Sequence, residues 1–311
     1  MTESPKNILQ CLIIGSGPAG LSAALYAARA NLKPVVLSGM DLGGQVSKTG
    51  LVDNYPGFPD GIDGPDMVSA FQQHAERFGA EIVFDSATEV NLSERPFKVT
   101  TYSGEYLAES LVITTGAAVR ELGVPGETEF TGKGVSYCAT CDGHFFKDKN
   151  LVVVGGGDSA LKEGIFLTRF AKSVTIVHRR DELRAGPYLE GKAKENPKIQ
   201  FVWDTIVTEI FGDGTVNAVR LKNKKTGQEE TKPIDGVFIF IGHIPSTDLF
   251  KDQLETDEQG YLVIDNKMHT NIPGVFAAGE VGDPHFQQVV ISAGMGAAAA
   301  MEVVEFLEEE H

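Results

Sequence analysis

The chain has 311 residues, 42% of them hydrophobic, which is enough to bury two sizeable cores. A net charge of −16 argues against a nucleic-acid surface, because a phosphate backbone is repelled by it, and it also serves solubility. The 35 glycines follow no repeat, which excludes a fibre or a flexible linker and directs attention to phosphate-binding loops.

The opening "MTESPKNILQCLIIGSG" lacks the positive n-region and small-residue cleavage site of a leader, and its apolar run is too short to span a bilayer. A cytoplasmic protein is expected, in which a structural disulfide is unusual. The first element is a strand through "ILQCLII", with Cys11 as a core residue. It runs into Gly15-x-Gly17-x-x-Gly20 and then a segment with Leu21, Ala24, Leu25 and Ala28 on one helical face. Gly15 permits the tight turn, Gly17 lets backbone approach a pyrophosphate, and Gly20 lets the helix pack closely on the strand. The helix start then offers unpaired N–H groups to the phosphates. The next strand, "PVVLSGMD", does not end in the acid that grips a ribose; the nearest is Asp41 in the loop beyond it. "LVITTGA" (111–117) reads as a further strand ending in a small-residue turn.

"CATCDGHFF" (138–146) sets Cys138 and Cys141 three positions apart, followed at once by Asp142. Such a pair can hold half a zinc site, staple a loop or shuttle electrons. A structural zinc needs four Cys or His ligands. The third cysteine lies in a strand, His144 brings no fourth ligand with it, and His178 sits in a basic triplet. Redox chemistry leads, and it needs an electron source. Opening a disulfide also needs protons, for which Asp142 is preferred over His144. Phe145 and Phe146 are core residues or a docking surface, core being the commoner fate of phenylalanine.

A second nucleotide site follows. A strand at 151–154 enters Gly155-x-Gly157-x-x-Ala160, with a helix and a strand at 174–177 after it. Where an NAD site places an acid, this strand ends in His178-Arg179-Arg180, with Arg184 a turn later. Cationic forks there suit a ribose 2′-phosphate, so NADPH is expected over NADH; a solvated charged face is the plainer alternative. "GVFAAGEVGD" (274–283) starts another strand, followed by the apolar helix "VVISAGMGAAAAMEVVEFL". Because the second fingerprint lies between "LVITTGA" and this strand, the expected fold is α/β, with two Rossmann-like nucleotide-binding domains, the second inserted into the first. Residues 1–116 and 245–311 form the outer domain and 117–244 the inserted one. The connections run through 115–118 and through "GHIP" at 242–245.

Taken together, "GSGPAG", "GGQ" (43–45), "CATCDG", "GGGDSA", "HRRDELRA", "GHIP" and "GVFAAG" resemble the low-molecular-weight, NADPH-dependent thioredoxin reductases, over essentially the whole chain in order. The resemblance implies a homodimer with tightly held FAD and an inserted NADPH domain. It implies electron flow from NADPH to flavin to the cysteine disulfide and on to thioredoxin. By matching position, Cys141 meets the flavin, Cys138 attacks the partner, and Asp142 handles the proton. FAD contacts are implied at Gly15, Ser16, Gly17, Pro18, Ala19 and Gly20, and at Gly43, Gly44, Gln45, Asn54, Thr115 and Gly116. They continue at Gly279, Glu280, Gln287, Gln288 and Val289. NADPH contacts are implied at Gly155, Gly157, Asp158, Ser159, Ala160, His178, Arg179, Arg180 and Arg184. No metal, nucleic-acid or membrane partner is expected.

Two positions depart from the family's pattern. It has Gly-Asp and, seven residues past the Asp, Arg-Gln; this chain has Gly279-Glu280 and Gln287-Gln288. Glu280 still offers an acceptor to a ribitol hydroxyl, while Gln287 removes a cation near the isoalloxazine, so flavin tuning is expected to differ. A flavin disulfide reductase for a glutaredoxin-like protein or small disulfide, or one with another electron donor, stays open. A non-enzymatic nucleotide or metal-binding protein leaves "CATCDG" unexplained. Finally, nicotinamide and cysteine pair belong to one domain and both must reach one flavin, so residues 117–244 are expected to rotate as a body between two states.

Overall fold

The computed structural model describes residues 8–309; the opening segment read above as lacking a leader falls partly outside them. In chain order the first half provides β1 (Ile8–Ile14), α1 (Pro18–Arg29), β2 (Val35–Leu37), α2 (Gly64–Arg77), β3 (Glu81–Val83), β4 (Ala87–Asn91), β5 (Phe97–Thr101) and β6 (Glu105–Ile113). Then come β7 (Val135–Ser136), α3 (Ala139–Asp142), β8 (Asn150–Val154), α4 (Asp158–Leu167), β9 (Ser173–Val177), α5 (Pro187–Glu195) and β10 (Ile199–Val202). The strands β11 (Thr205–Asp213), β12 (Thr215–Asn223), β13 (Glu229–Pro233), β14 (Gly236–Ile239) and β15 (Val275–Ala277), with α6 (Val289–Glu309), complete the elements used below. The chain forms two compact units, one running to Ala118 and resuming at Ile244, the other Val119–His243.

In the first unit the strand order is β3-β2-β1-β6-β5-β4, with β15 pairing the C-terminal half of β6. The pairs among β3, β2, β1, β6 and β15 are parallel; β4, β5 and the start of β6 form an antiparallel meander. Successive residues of β1 point to opposite faces, and both faces are covered. Cys11 and Ile13 pack with the alanines of α1 and with Ala299, Ala300 and Val303 of α6. Leu12 and Ile14 pack with Phe97, Val99 and Phe250 on the other side. This is why "CLII" is an uninterrupted apolar run. Cys11 is the core residue the sequence suggested, its thiol pushed up to about 12 by burial.

The second unit repeats the scheme with other parts. Its sheet, β7-β14-β8-β9-β10, is wholly parallel. Leu151 and Val153 of β8 face the helices, packing with Ala160, Leu161 and Leu167. Val152 and Val154 face the antiparallel sheet β11-β12-β13, through Val207, Val219 and Leu221. In both sheets the fingerprint strand is flanked by its successor on one side and a later strand on the other. Such a switch point leaves a crevice at the carboxyl ends of the strands, where α/β proteins bind ligands.

The helix α6 is long and apolar enough to cross a membrane by length and composition. Here one face of it lies in the core: a Cβ on Gly296 would sit 2.0 Å from the Ala19 carbonyl oxygen of α1. Gly294, two residues away on the exposed face, has nothing within 4 Å of that position. Gly296→Ala is therefore expected to destabilise the protein by about 1–3 kcal/mol through overpacking. Gly294→Ala is expected to be neutral or to stabilise by up to roughly 1 kcal/mol through helix propensity. Urea denaturation of the two variants checks the contrast.

Candidate active site

The first fingerprint folds as glycine chemistry dictates. Gly15 has φ 112°, and a Cβ there would lie 2.3 Å from the Thr114 carbonyl oxygen. A Cβ on Gly20 would lie 2.0 Å from the Gly15 oxygen, so only glycine lets α1 seat on β1. Gly17, at the N-cap, has nothing within 4 Å of its Cβ position, which leaves the helix N-terminus open at that point. Pro18 at the first turn has no N–H to leave unsatisfied, and Ala19 is buried against α6.

The side chain of Ser16 turns inward. Its Oγ donates to the Ser38 carbonyl at 2.9 Å and accepts the Gly43 N–H at 3.1 Å. It thereby ties the fingerprint loop to the "GGQ" turn, in which Gly43 and Gly44 have φ of 89° and 59°. Gln45 Nε2 donates to the Ala117 carbonyl at 3.1 Å, and Thr115 Oγ1 to that of Ser246 at 2.7 Å, next to Gly116 with φ 69°. Asn54 Nδ2 donates to Gln288 Oε1 at 3.2 Å. So the residues of "GSGPAG", "GGQ", Asn54, Thr115, Gly116 and 287–288 all belong to one unit.

The two departures sit in a network that the sequence did not reveal. Asp283 is buried, and its carboxylate accepts the N–H groups of His285, Phe286 and Gln287 at 2.9–3.1 Å, holding Gln287 at φ 52°. Gln287 also hydrogen-bonds the hydroxyl of buried Tyr261. Glu280 follows Gly279, whose Cβ would press on Ala19, and burial together with the Asp283 charge pushes its carboxyl up to about 7. Asp283, four residues before Gln287, was visible in the sequence; that it would cap the loop was not. Val289 starts α6 directly after this loop.

In the second unit Gly155 has φ 148°, with Phe240 O and Ala160 Cβ 2.4 and 2.7 Å from its Cβ position; Gly157 has open space. Asp158 Oδ1 accepts the Gly186 N–H at 2.8 Å, Ser159 is exposed in the first turn of α4, and the Arg184 N–H donates to the Gly156 carbonyl at 2.7 Å. These bonds fold the 179–186 loop back against the fingerprint. Arg179, Arg180 and Arg184 line a cavity of about 330 Å³ there. His178 is not among its lining residues. Its buried ring lies where a Cβ of Gly156 would be, 2.2 Å from Nδ1, and Nε2 has no hydrogen-bond partner. Burial, and then the three arginines, hold its pKa below the usual range against a backbone bond at Glu182. The middle glycine of "GGG" is explained by this ring.

Cys138 and Cys141 form a disulfide across one short turn, with Cα atoms 5.3 Å apart and both residues half-buried. Cys138 caps α3, and the Cys141 N–H donates to Cys138 Sγ at 3.1 Å. The same N–H would meet a thiolate at Cys138 after reduction, which favours the nucleophilic form. Asp142 Oδ2 accepts from Ser136 Oγ at 2.6 Å, and Ser136 Oγ accepts the Cys138 N–H at 3.1 Å. Burial pushes the Asp142 carboxyl above its usual range, against the Ser136 bond and nearby His144. His144 is exposed, its ring 3.8 Å from that of exposed Phe145; Phe146 packs edge-on to core Phe238. Ser136 was missed in the sequence, where only a polar residue six before the acid marked it. Among the described residues no group of three or more His, Cys, Asp or Glu is arranged to hold a metal ion.

The model of the pyridine nucleotide-disulphide oxidoreductase family matches residues 9–296. A thioredoxin reductase of Streptomyces coelicolor is 49% identical over 305 residues, covering 97% of this chain and 95% of its own. Among solved structures, thioredoxin reductase from Streptococcus pyogenes is 44% identical and superposes with TM-score 0.93, covering 97% of this chain and 99% of that one. A Lactococcus lactis thioredoxin reductase in an FR conformation, 42% identical at 97% and 99% coverage, gives 0.66. The chain belongs to the pyridine nucleotide-disulphide oxidoreductases and, within them, to the thioredoxin reductases.

Enzymes of this family use FAD and NADPH. The residues present fit both groups, since each fingerprint exposes backbone at the one glycine, Gly17 or Gly157, where a Cβ would fill the cradle. The raised pKa of Glu280 gives a test on the FAD-free protein. Between about pH 4.5 and 7 its folded state holds a proton that the unfolded state has lost, so stability falls as pH rises through that window. Glu280→Gln is expected to remove this fall, which is on the order of 3 kcal/mol across the window. Urea midpoints measured at several pH values check it.

Proposed function

We propose that this chain reduces the disulfide of thioredoxin with electrons from NADPH. The Cys138–Cys141 disulfide carries the reading, because a sulfur already capped by an N–H stands beside a carboxyl whose pKa is raised. When bound, NADPH supplies a hydride and FAD passes its two electrons to sulfur. The first unit would hold FAD through the Gly15–Gly20 loop, the 43–45 turn and the 279–289 segment. The second would hold NADPH through Gly155–Ala160 and the three arginines.

Opening the disulfide adds two electrons and two protons and leaves two thiols. Asp142 holds a proton at its carboxyl for the departing sulfur, and Ser136 orients it. Cys138 as thiolate attacks one sulfur of the thioredoxin disulfide, and a mixed disulfide forms as thioredoxin's other sulfur leaves. Cys141 then attacks Cys138 Sγ, releases reduced thioredoxin and restores the internal disulfide. The exposed ring of Phe145 supports a docking role beside the pair. A reducing compartment suits such chemistry, so the reading includes a cytoplasmic location. Exposed Val290, Ile291 and Met301 on α6 support a homodimer.

Turnover by this route has the inserted unit rotate between half-reactions on its two connections. These are short strands, Ala117–Val119 and His243–Pro245, which pair with each other. TM-scores of 0.93 and 0.66 for relatives of nearly equal identity support more than one arrangement in the family.

Purified protein with NADPH is expected to reduce thioredoxin. Cys138→Ser and Cys141→Ser should each abolish this while NADPH still bleaches the flavin; retained thioredoxin reduction in either variant contradicts the assignment. A reversible crosslink between the two units should block steady-state turnover, spare one half-reaction and release activity when cleaved. Full turnover in the crosslinked enzyme contradicts the rotation.

A further inference from the structure

The cavity beside the arginine loop contains two side chains that lie far from that loop in sequence. Lys224 and Lys225, at the tip of the β12–β13 hairpin, line it together with Arg179, Arg180, Arg184 and Asp204. Their position is fixed by backbone. The Asp204 N–H donates to the Arg180 carbonyl at 3.1 Å, and the Lys224 N–H donates to the Asp204 carbonyl at 2.6 Å. The turn is closed by Asn223 Oδ1, which accepts the N–H groups of Lys225 and Thr226 at 3.0 and 2.9 Å. The hairpin tip is thus pinned to the end of the arginine strand.

The two lysines differ in what they touch. Lys225 Nζ is 2.6 Å from Asp181 Oδ2 and 3.0 Å from Asp204 Oδ2. Both aspartates line the same cavity as the arginines, as does Glu182. Left uncompensated, they would repel a phosphate, and an acid near this strand end is what favours an unphosphorylated ribose. Lys224 makes no ion pair with them, so its charge adds to those of the three arginines. In a chain of net charge −16, a local excess of cations is also what concentrates a polyanionic cofactor at this point.

We propose that Lys224 and Lys225 are specificity-determining residues for the 2′-phosphate of NADPH. Lys224 supplies a fourth cation to it. Lys225 neutralises Asp181 and Asp204, which would otherwise favour NADH. This rests on the NADPH reading above.

The test measures dissociation constants of the FAD-loaded enzyme for NADPH, NADH and 2′,5′-ADP, at low and at physiological salt. Lys224→Ala is expected to weaken NADPH and 2′,5′-ADP about fivefold to tenfold, the loss of one partly screened charge-assisted contact, and to leave NADH within about twofold. Lys225→Met is expected to weaken NADPH by at least as much while NADH binds as well or better. Both lysines are exposed, and flavin content with thermal melting reports whether each variant is folded. If wild type does not discriminate NADPH from NADH, the NADPH reading itself fails. If wild type discriminates and Arg179→Ala/Arg180→Ala abolishes this, but both lysine variants keep wild-type ratios, the hairpin proposal is overturned alone. An equal loss of NADPH and NADH affinity in the lysine variants overturns it as well.

Discussion

A pyrophosphate held by uncharged backbone needs N–H groups with no side chain in front of them, and much of this structure follows from meeting that need twice. Gly17 and Gly157 leave the N-termini of α1 and α4 open. Each helix must then start directly at the end of a buried strand, which requires the positive φ of Gly15 and Gly155 and a small residue at Gly20 or Ala160. Strands that launch such helices are parallel and covered on both faces, hence the apolar runs of β1 and β8. In the first unit the alanines of α1 and the glycine of α6 let two helices share the cover of one sheet.

The second unit uses the same strand–loop–helix for a different purpose on each side. The basic strand end and the hairpin together line one cavity in an acidic protein, five cationic side chains beside three carboxylates. At the other end of its sequence, a serine on β7 holds the acid that follows the cysteine pair. The Ser136 hydroxyl also takes the Cys138 N–H, so the first cysteine of the pair and Asp142 are both held by one buried group. Burial raises the pKa of that carboxyl, and the serine hydrogen bond opposes the shift.

Local patterns were legible in the sequence because their physics is local. Both fingerprints, the buried strands, the fate of Cys11 and the cysteine pair all follow from spacing and residue type. What was illegible depends on long-range pairing. The hairpin lysines, well beyond the arginine loop in sequence, reach the arginines only because Asp204 bridges two strand ends. His178 read as part of a cationic triplet, yet its ring is buried under Gly156, because the strand end alternates and His178 takes the inward position. Tyr261 on Gln287 likewise emerges only from a tertiary contact, whereas the Asp283 cap of the 285–287 loop is local and was simply not read.

The central claim is that electrons from NADPH end on the Cys138–Cys141 sulfurs. Counting thiols tests it most directly. The chain has three cysteines, one of which, Cys11, is free when the disulfide is closed. Protein treated anaerobically with excess NADPH, then denatured in acid and titrated, should show three thiols per chain against one before treatment. A bleached flavin with the count still at one thiol would contradict the account.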